Sequence, residues 1–154
     1  MSHKKNNCQC FSCNNGIEAT REMEKNSIKK YGWYAHFVFD QTEAPYEINI
    51  HTHGLVETAN HKDLQICFPL QQQTAHAILS NVIHRIKEGE VFEAGKKYSK
   101  ILDGYDVLFI NANEDGREVL RMIMPNKDGS FEGGAASEQL KATKAPELPN
   151  FKLN

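Results

Sequence analysis

The chain has 154 residues, of which 40% are hydrophobic and 25% are charged, and its formal net charge at pH 7 is −2. This length and composition are typical of one globular domain with a substantial core, and they exclude a chain that is disordered throughout. Because lysine and arginine are not in excess, the charge excludes a broad electrostatic footprint for nucleic acid or for an anionic membrane surface. We therefore expect the partner to be a protein or a small molecule.

The first fifteen residues are polar and contain three of the four cysteines. They carry positive charge but no apolar stretch, so they do not have the pattern of a secretory signal. No apolar run in the sequence reaches the length that crosses a bilayer. These features predict a cytoplasmic protein that is not inserted in a membrane, whose cysteines are thiols or metal ligands rather than disulfides.

The N-terminal cysteines have a spacing that is typical of metal sites. Cys10 and Cys13 form a C-x-x-C pair, which lets two thiolates from one tight turn bind a tetrahedral ion such as zinc. Cys8 can add a third ligand, and His3 or a distant residue can add a fourth. The sequence contains no second cysteine pair, which a strong zinc signature would have. Two alternatives stay open: a redox-active pair, and a polar tail whose cysteines are incidental.

The charge and hydrophobic patterns that follow predict a helix and two strands. In 17–31 acidic residues come early and basic residues late, an order that suits the helix dipole, and Gly32 ends the helix. Apolar and polar residues alternate in 33–40 and again in 46–53, as in strands with one face in the core. Residues 41–45 are expected to form the turn between these strands.

A hairpin of the two strands would bring polar side chains together on one face. The apolar faces agree if Asp40 lies opposite Pro45 around a four-residue loop, because directly opposed residues share a face. That register brings four polar residues close to one another: His36, Glu47, Asn49 and His51.

Two interpretations of this polar set stay open. His51 and His53 form an H-x-H pair on one strand face, and together with His36 they can bind a divalent metal while Glu47 acts as a ligand or general base. Under this interpretation the four residues form the catalytic site of a metal-dependent hydrolase, in which Glu47 activates a water. The alternative is a sheet face turned to water, since antiparallel sheets often leave one side solvated.

The second half of the chain predicts a short strand and a long helix. Residues 54–62 are expected to be a loop, and 63–69 a strand in which Cys67 is an inert core thiol. Between residues 69 and 95, apolar residues recur at helical spacing, and Gly89 is the expected C-cap. The stripe consists of Ala75, Ile78, Leu79, Val82, Ile83 and Ile86.

Two further strands complete the predicted fold. After an exposed turn at 92–97, residues 105–112 and 118–124 are apolar on both faces, as in inner strands. The predicted class is α+β, with one mixed or mainly antiparallel sheet and two main helices packed on one face. The predicted organisation is a cysteine-containing arm at 1–15, a single domain at 16–136 and an extended arm at 137–154.

An ordered series of short motifs resembles one protein family. It begins with Cys10-x-x-Cys13 and continues with A-T-R-E at 19–22, G-W at 32–33, A-H-A-I-L-S-N at 75–81 and P-N-K-D-G at 125–129. In this order the motifs resemble an uncharacterised bacterial family, the domain of unknown function DUF4262. The resemblance implies a shared fold and a set of positions worth testing, but the family brings no established activity.

The resemblance singles out five positions: Cys10, Cys13, His61, Asp63 and His76. His61 precedes a predicted strand and is the preferred distant ligand for the cysteine pair, although bracing of a loop explains it equally well. His76 lies at the border of the apolar stripe, where a packed histidine with one hydrogen bond is more common than a ligand.

Three functional hypotheses follow. The first is a small cytosolic binding or regulatory module with a structural metal, zinc being the expected ion, held by Cys8, Cys10, Cys13 and His61. The second is the hydrolase with the histidine cluster, and the third is an immunity or anti-defence protein that neutralises a partner. The sequence contains no phosphate loop, dinucleotide fingerprint, nucleophile elbow or helical H-E-x-x-H motif, so whether the protein is an enzyme stays open.

Overall fold

A computed structural model describes residues 15–40 and 47–141 of the chain. The predicted helix at 17–31 and the predicted strands at 33–40 and 118–124 are confirmed to within one residue at each end. The elements in chain order are α1 (Ile17–Tyr31), β1 (Tyr34–Asp40), β2 (Glu47–His53), α2 (Leu55–Ala59), β3 (Asp63–Ile66), α3 (Gln72–Lys87), β4 (Lys97–Leu102), β5 (Tyr105–Glu114), β6 (Arg117–Ile123) and α4 (Gly134–Leu140).

The six strands form one mixed sheet in the order β1-β2-β3-β6-β5-β4. Neighbouring strands are antiparallel except for β3 and β6, which run parallel in the middle of the sheet. Strands β5 and β6 are both interior, as their apolar sequences predict. The α+β class with a mixed sheet is therefore confirmed.

One face of the sheet packs against the long helix α3. The apolar stripe predicted for this helix is buried in full, and it belongs to the same core cluster as Leu64, Phe109 and Met122 from three central strands. Each fully buried leucine or isoleucine in this layer stabilises the fold by about 1.5–3 kcal/mol. The helix ends at Lys87 and its C-cap is Glu88, one residue before the predicted Gly89, which has a positive φ of 102°.

The opposite face, called the distal face below, is covered in part by the short helix α4. Ala136 of α4 packs against Ile110 of β5 and Ile123 of β6 in a second, smaller apolar cluster. Residues 137–140 are helical, so the extended arm predicted from residue 137 is wrong for these four residues, because Gln139 is buried against β6. Residues 142–154 lie outside the described ranges.

The hairpin of β1 and β2 has the predicted faces but a different register. Asp40 lies opposite Glu47, and His36 opposite His51, whereas the sequence predicted Asp40 opposite Pro45. The two-residue shift leaves the described side chains on their predicted faces, because side chains alternate with a period of two. The connection is longer than predicted, and residues 41–46 lie outside the described ranges.

Three further parts of the chain differ from the sequence prediction. The loop predicted at 54–62 includes α2, and strand β4 was not predicted. The exposed turn predicted at 92–97 is wrong at Phe92, which is 3% exposed and stacks on Phe109 with ring centroids 4.9 Å apart. The burial of Phe92 could not be predicted from the local pattern, because the residue it stacks on belongs to the later strand β5.

Gly54 fixes the end of β2 against the end of α1. Its φ is 109°, a conformation that side-chain-bearing residues rarely adopt. A Cβ at this position would lie 2.7 Å from the carbonyl oxygen of Gly32. The close approach of the two backbones therefore requires glycine, and it sets the position of His53 immediately before it.

Two further observations bear on the sequence predictions. Cys67 is buried, and burial raises the pKa of its thiol to about 11. None of the helices in residues 15–40 and 47–141 is both long enough and apolar enough to cross a membrane.

Candidate metal centre

Strands β1 and β2 place three histidines on the distal face. Because His36 lies opposite His51 and Tyr34 opposite His53, alternation puts all three imidazoles on the side away from α3. One ring nitrogen from each histidine lies within 4.8 Å of the others. These residues, His36, His51 and His53, are called the histidine triad below.

The face that carries the triad is not turned to water at its centre. His51 is 1% exposed, and Gln65 beside it on β3 is completely buried. The solvated sheet face, which was the alternative interpretation of this pattern, therefore does not describe the centre of the distal face. Burial of polar groups at this depth is unfavourable unless each finds a partner.

A chain of hydrogen bonds fixes the tautomer of His51. The Nε of Arg121, which can only donate, bonds to Gln65 Oε1 at 2.8 Å, so the Gln65 amide nitrogen must point the other way. That nitrogen donates to Asn49 Oδ1 at 2.9 Å, and the same oxygen lies 3.0 Å from His51 Nδ1. An amide oxygen can only accept, so His51 carries its proton on Nδ1 and its lone pair on Nε2.

His36 is oriented by a carboxylate from α1. Its Nε2 lies 2.8 Å from Glu24 Oε1, and the His36 side chain is 32% exposed. An ionised carboxylate accepts, so Nε2 of a neutral His36 donates and Nδ1 keeps the lone pair. A carboxylate that holds one nitrogen while the other faces an ion is a recurrent arrangement around metal-binding histidines.

His53 has a polar atom without a partner. Its Nε2 is buried and forms no hydrogen bond with any described residue. The ring stacks on Tyr34 with centroids 5.0 Å apart, which fixes its plane. A buried polar atom of this kind costs about 1–3 kcal/mol if nothing binds it.

The electrostatic surroundings keep the inner two histidines neutral. Burial, together with the neighbouring histidines, lowers the pKa of His51 to about 3. Burial and the charge of Arg117 lower the pKa of His53 to about 4. At neutral pH both rings therefore retain a lone pair, which is the form that binds a metal.

Two buried carboxylates lie beside the triad, joined by Arg117. Its guanidinium donates to Asp63 Oδ2 at 3.0 Å and to Glu114 Oε2 at 2.8 Å, and it also donates to the carbonyl of Thr52 at 2.6 Å. Asp63 in turn accepts from the hydroxyl of Thr52 and from the backbone of Leu55. Asp63, one of the positions highlighted by the motif resemblance, is therefore a structural anchor for the ends of β2 and β3.

Sequence reasoning missed Glu114, the carboxylate closest to His51 in this network. Its Oε1 lies 3.4 Å from His51 Nε2, and its side chain is 7% exposed. Glu47, predicted to be the ligand or general base, lies opposite Asp40 at the far end of the hairpin. Its catalytic role stays a prediction. Alternation along β5 puts Glu114 on the distal face, but only the pairing of distant strands brings it near His51.

The other predicted metal ligands are three N-terminal cysteines and His61. Cys8, Cys10 and Cys13 lie outside the described residues. His61 uses both ring nitrogens: Nδ1 donates to the carbonyl of Lys62 at 2.8 Å, and Nε2 accepts from the backbone of Phe92 at 3.2 Å. This is the loop-bracing role, and ligation of a metal by His61 would require one of these hydrogen bonds to break.

His76 also lies apart from the triad. It stacks on Trp33 with ring centroids 5.2 Å apart, on the α3 side of the sheet, and its Nδ1 is 3.4 Å from Ser80 Oγ. His76 is exposed, so the packed role favoured for it by the helical pattern holds for the stacking of its ring but not for burial. The triad is thus the one group of three or more histidine, cysteine or acidic side chains with metal-binding spacing in the part of the chain that the structure describes.

Comparison with known proteins identifies a family. Residues 27–133 match the family model described as Domain of unknown function (DUF4262). The matched segment includes the triad and Glu114 but neither Glu24 nor the N-terminal cysteines. No curated protein and no solved structure matches the chain.

Proposed function

This chain belongs to the DUF4262 family, and we propose that it binds a divalent transition-metal ion at His36, His51 and His53. The observation that carries the proposal is the meeting of three imidazole nitrogens within 4.8 Å, one from each histidine of the triad. The buried, unpartnered Nε2 of His53 supports it, because an ion would satisfy this atom.

The surroundings of the triad favour a metal over a proton. Neutral imidazole is a common ligand for zinc, copper, nickel and iron. Asn49 and Glu24 each hold one nitrogen of a triad histidine and leave the other available. Zinc remains the first ion to test, and cobalt is its spectroscopic substitute.

Metal analysis of the purified protein tests this proposal. We expect one equivalent of Zn²⁺ or Co²⁺ per chain at the triad, and loss of that equivalent in His53→Ala and in His36→Gln. The matched control is His84→Ala, because His84 is a highly exposed histidine on α3 whose nearest charged partner is Glu88. A wild-type protein that takes up less than about a tenth of an equivalent would contradict the proposal.

Hydrolysis by a metal-activated water is the activity that we propose for this site. His51 is enclosed, whereas the His36 side chain is 32% exposed, so the triad combines a buried ligand with a partly exposed one. An ion there could bind water and lower its pKa, which generates a nucleophile at neutral pH. The histidine pattern identifies no substrate class.

The hydrolase proposal is tested with 4-nitrophenyl acetate and bis(4-nitrophenyl) phosphate. We expect Co²⁺-loaded wild type and His84→Ala to release 4-nitrophenolate, and His53→Ala to release it no faster than free Co²⁺ in buffer. Equal rates in His53→Ala and wild type would remove the enzyme hypothesis while leaving metal binding intact. His51→Ala is a poor choice, since His51 is buried and its loss would also create a cavity.

The cysteine-anchored zinc site is a separate proposal, supported by the C-x-C-x-x-C spacing alone. It predicts a second equivalent of metal, lost in Cys10→Ser and Cys13→Ser but retained in His53→Ala. If the metal content is the same in the cysteine variants and in wild type, this site does not exist. A binding or partner-neutralising role also remains a prediction, for which a pull-down from the native host is the test.

A further inference from the structure

The carboxylate of Glu114 is held with one oxygen free to face the triad. Its Oε2 accepts a hydrogen bond from Arg117 Nε at 2.8 Å. The same guanidinium is fixed by its hydrogen bonds to Asp63 and to the carbonyl of Thr52, so it holds the Glu114 carboxylate in one orientation. The other oxygen, Oε1, faces His51 Nε2 at 3.4 Å.

The short distance between Glu114 Oε1 and His51 Nε2 brings two electron-rich atoms close together. The chain of hydrogen bonds from Arg121 through Gln65 and Asn49 places the proton of a neutral His51 on Nδ1. Its Nε2 therefore presents a lone pair to a carboxylate oxygen inside the protein, where charges are poorly screened. A cation between the two atoms removes the conflict. A metal ion would do so while also binding His36 and His53.

We propose that Glu114, through Oε1, is a fourth protein ligand of the ion bound by the histidine triad. This inference rests on the proposed metal site. The separation of 3.4 Å between Oε1 and His51 Nε2 supports it, because ligands about 2.0–2.1 Å from a tetrahedral ion lie about 3.4 Å from one another. The pair therefore already has the spacing of two neighbouring ligands.

A fourth protein ligand has a consequence for the chemistry of the site. Three histidines and one carboxylate close the coordination of a tetrahedral zinc ion, as in structural sites. An ion that takes six ligands would keep two positions for water or substrate. With Glu114 as a ligand, the hydrolysis proposed above requires an ion that accepts at least a fifth ligand, as Co²⁺ can, whereas a strictly four-coordinate ion makes the site structural.

Binding of Co²⁺ to the full-length protein tests the inference, because the visible spectrum of Co²⁺ reports the number and type of its ligands. We expect Glu114→Gln to weaken Co²⁺ binding by about 100-fold or more and to change the position and intensity of the visible bands. The matched control is Glu118→Gln, since Glu118 is 69% exposed and pairs only loosely with Lys62. This control should match wild type in both measurements.

A second measurement does not depend on the folding of a variant. Infrared difference spectra of wild-type protein should show a shift of carboxylate stretching bands on addition of Co²⁺, and the same shift should occur in Glu118→Gln. Unchanged carboxylate bands in wild type, or an unchanged visible spectrum and affinity in Glu114→Gln, would overturn the role of Glu114 and leave the triad proposal standing. If wild type binds no Co²⁺, both proposals fail.

Discussion

Around β2 and β3, the two faces of the sheet are equally buried, but one is lined by apolar side chains and the other by polar ones. Along β3, Leu64 and Ile66 point into the core beneath α3, while Gln65 between them is equally buried on the distal face. The α3 face needs only apolar surface of matching shape. The distal face needs a partner for each polar atom, and among the described residues one buried side-chain atom, His53 Nε2, lacks one. The comparison shows that the candidate metal site lies on the face where polar groups are buried at a cost in free energy, not on the face that is packed with apolar side chains.

The largest effect is expected on the α3 face. Leu79 is completely buried in the main core, so Leu79→Ala should lower the free energy of unfolding by about 2–5 kcal/mol through lost burial and a residual cavity. Urea denaturation monitored by circular dichroism measures it. Gln73→Ala, at an exposed position on the same helix, is the control, and metal content per folded chain should be unchanged in both. Loss of bound metal in folded Leu79→Ala would show that the two faces are not independent.

A smaller loss of stability is expected when Arg117 is removed from the distal face. Arg117→Met leaves Asp63 and Glu114 buried without their shared cation. We expect the free energy of unfolding to fall by roughly 2–3 kcal/mol. This is less than for a fully buried ion pair, because the Arg117 side chain is itself 29% exposed. Burial raises the pKa of Asp63, and the charge of Arg117 opposes this rise. Without the arginine the pKa of Asp63 should rise further.

The sign of the pH dependence follows from that shift. A carboxyl whose pKa is higher in the folded state than in the unfolded state favours folding as the pH falls through the folded value. The difference in unfolding free energy between wild type and Arg117→Met should therefore shrink as the pH falls from 7 towards the ordinary pKa of aspartate, about 3.9. Arg21→Met, at an exposed position on α1, controls for the lost charge. A deficit that is constant with pH would contradict the pairing of Arg117 with buried carboxylates.

A still smaller effect is expected from the hydrogen bond that fixes His51. Asn49→Ala removes the acceptor of His51 Nδ1 and should weaken Co²⁺ binding about tenfold. Asn49→Asp keeps an acceptor and should retain most of the affinity. Calorimetric titration compares them with Asn111→Ala, which removes only a bond from Lys62. Equal affinities in Asn49→Ala and wild type would mean that this hydrogen bond does not orient a ligand.

The smallest expected effect is on the reactivity of Cys67. Because burial raises the pKa of its thiol to about 11, the thiolate fraction at pH 8 is negligible. Iodoacetamide should therefore leave Cys67 unmodified in the folded protein and label it after denaturation, as peptide mass mapping can measure. Rapid labelling of Cys67 under native conditions would mean that this part of the sheet opens.

The periodicity of apolar residues in the sequence correctly predicted the helix and strands that bury one regular apolar face. The stripe of α3 and the alternation of β1 and β2 were correct, and so was the face of each histidine in the triad. The pairing register was two residues away, because it depends on the connection at 41–46 and not on alternation. Strand β4 was missed because apolar and polar residues do not alternate regularly along it. The strand contains two lysines, and its pairing with β5 is irregular between Tyr98 and Leu102.

The candidate metal site, like the fold, could be predicted from the sequence only in part. The sequence by itself determined that His36, His51 and His53 share one face, because side chains on paired strands alternate with a fixed period. Only the tertiary structure decided that this face is buried, that Gln65 and Asn49 set the tautomer of His51, and that Glu114 faces it. Those relations join strands β2, β3, β5 and β6, and contacts between strands so far apart in the chain are set by the packing of the whole sheet, on which local patterns carry no information.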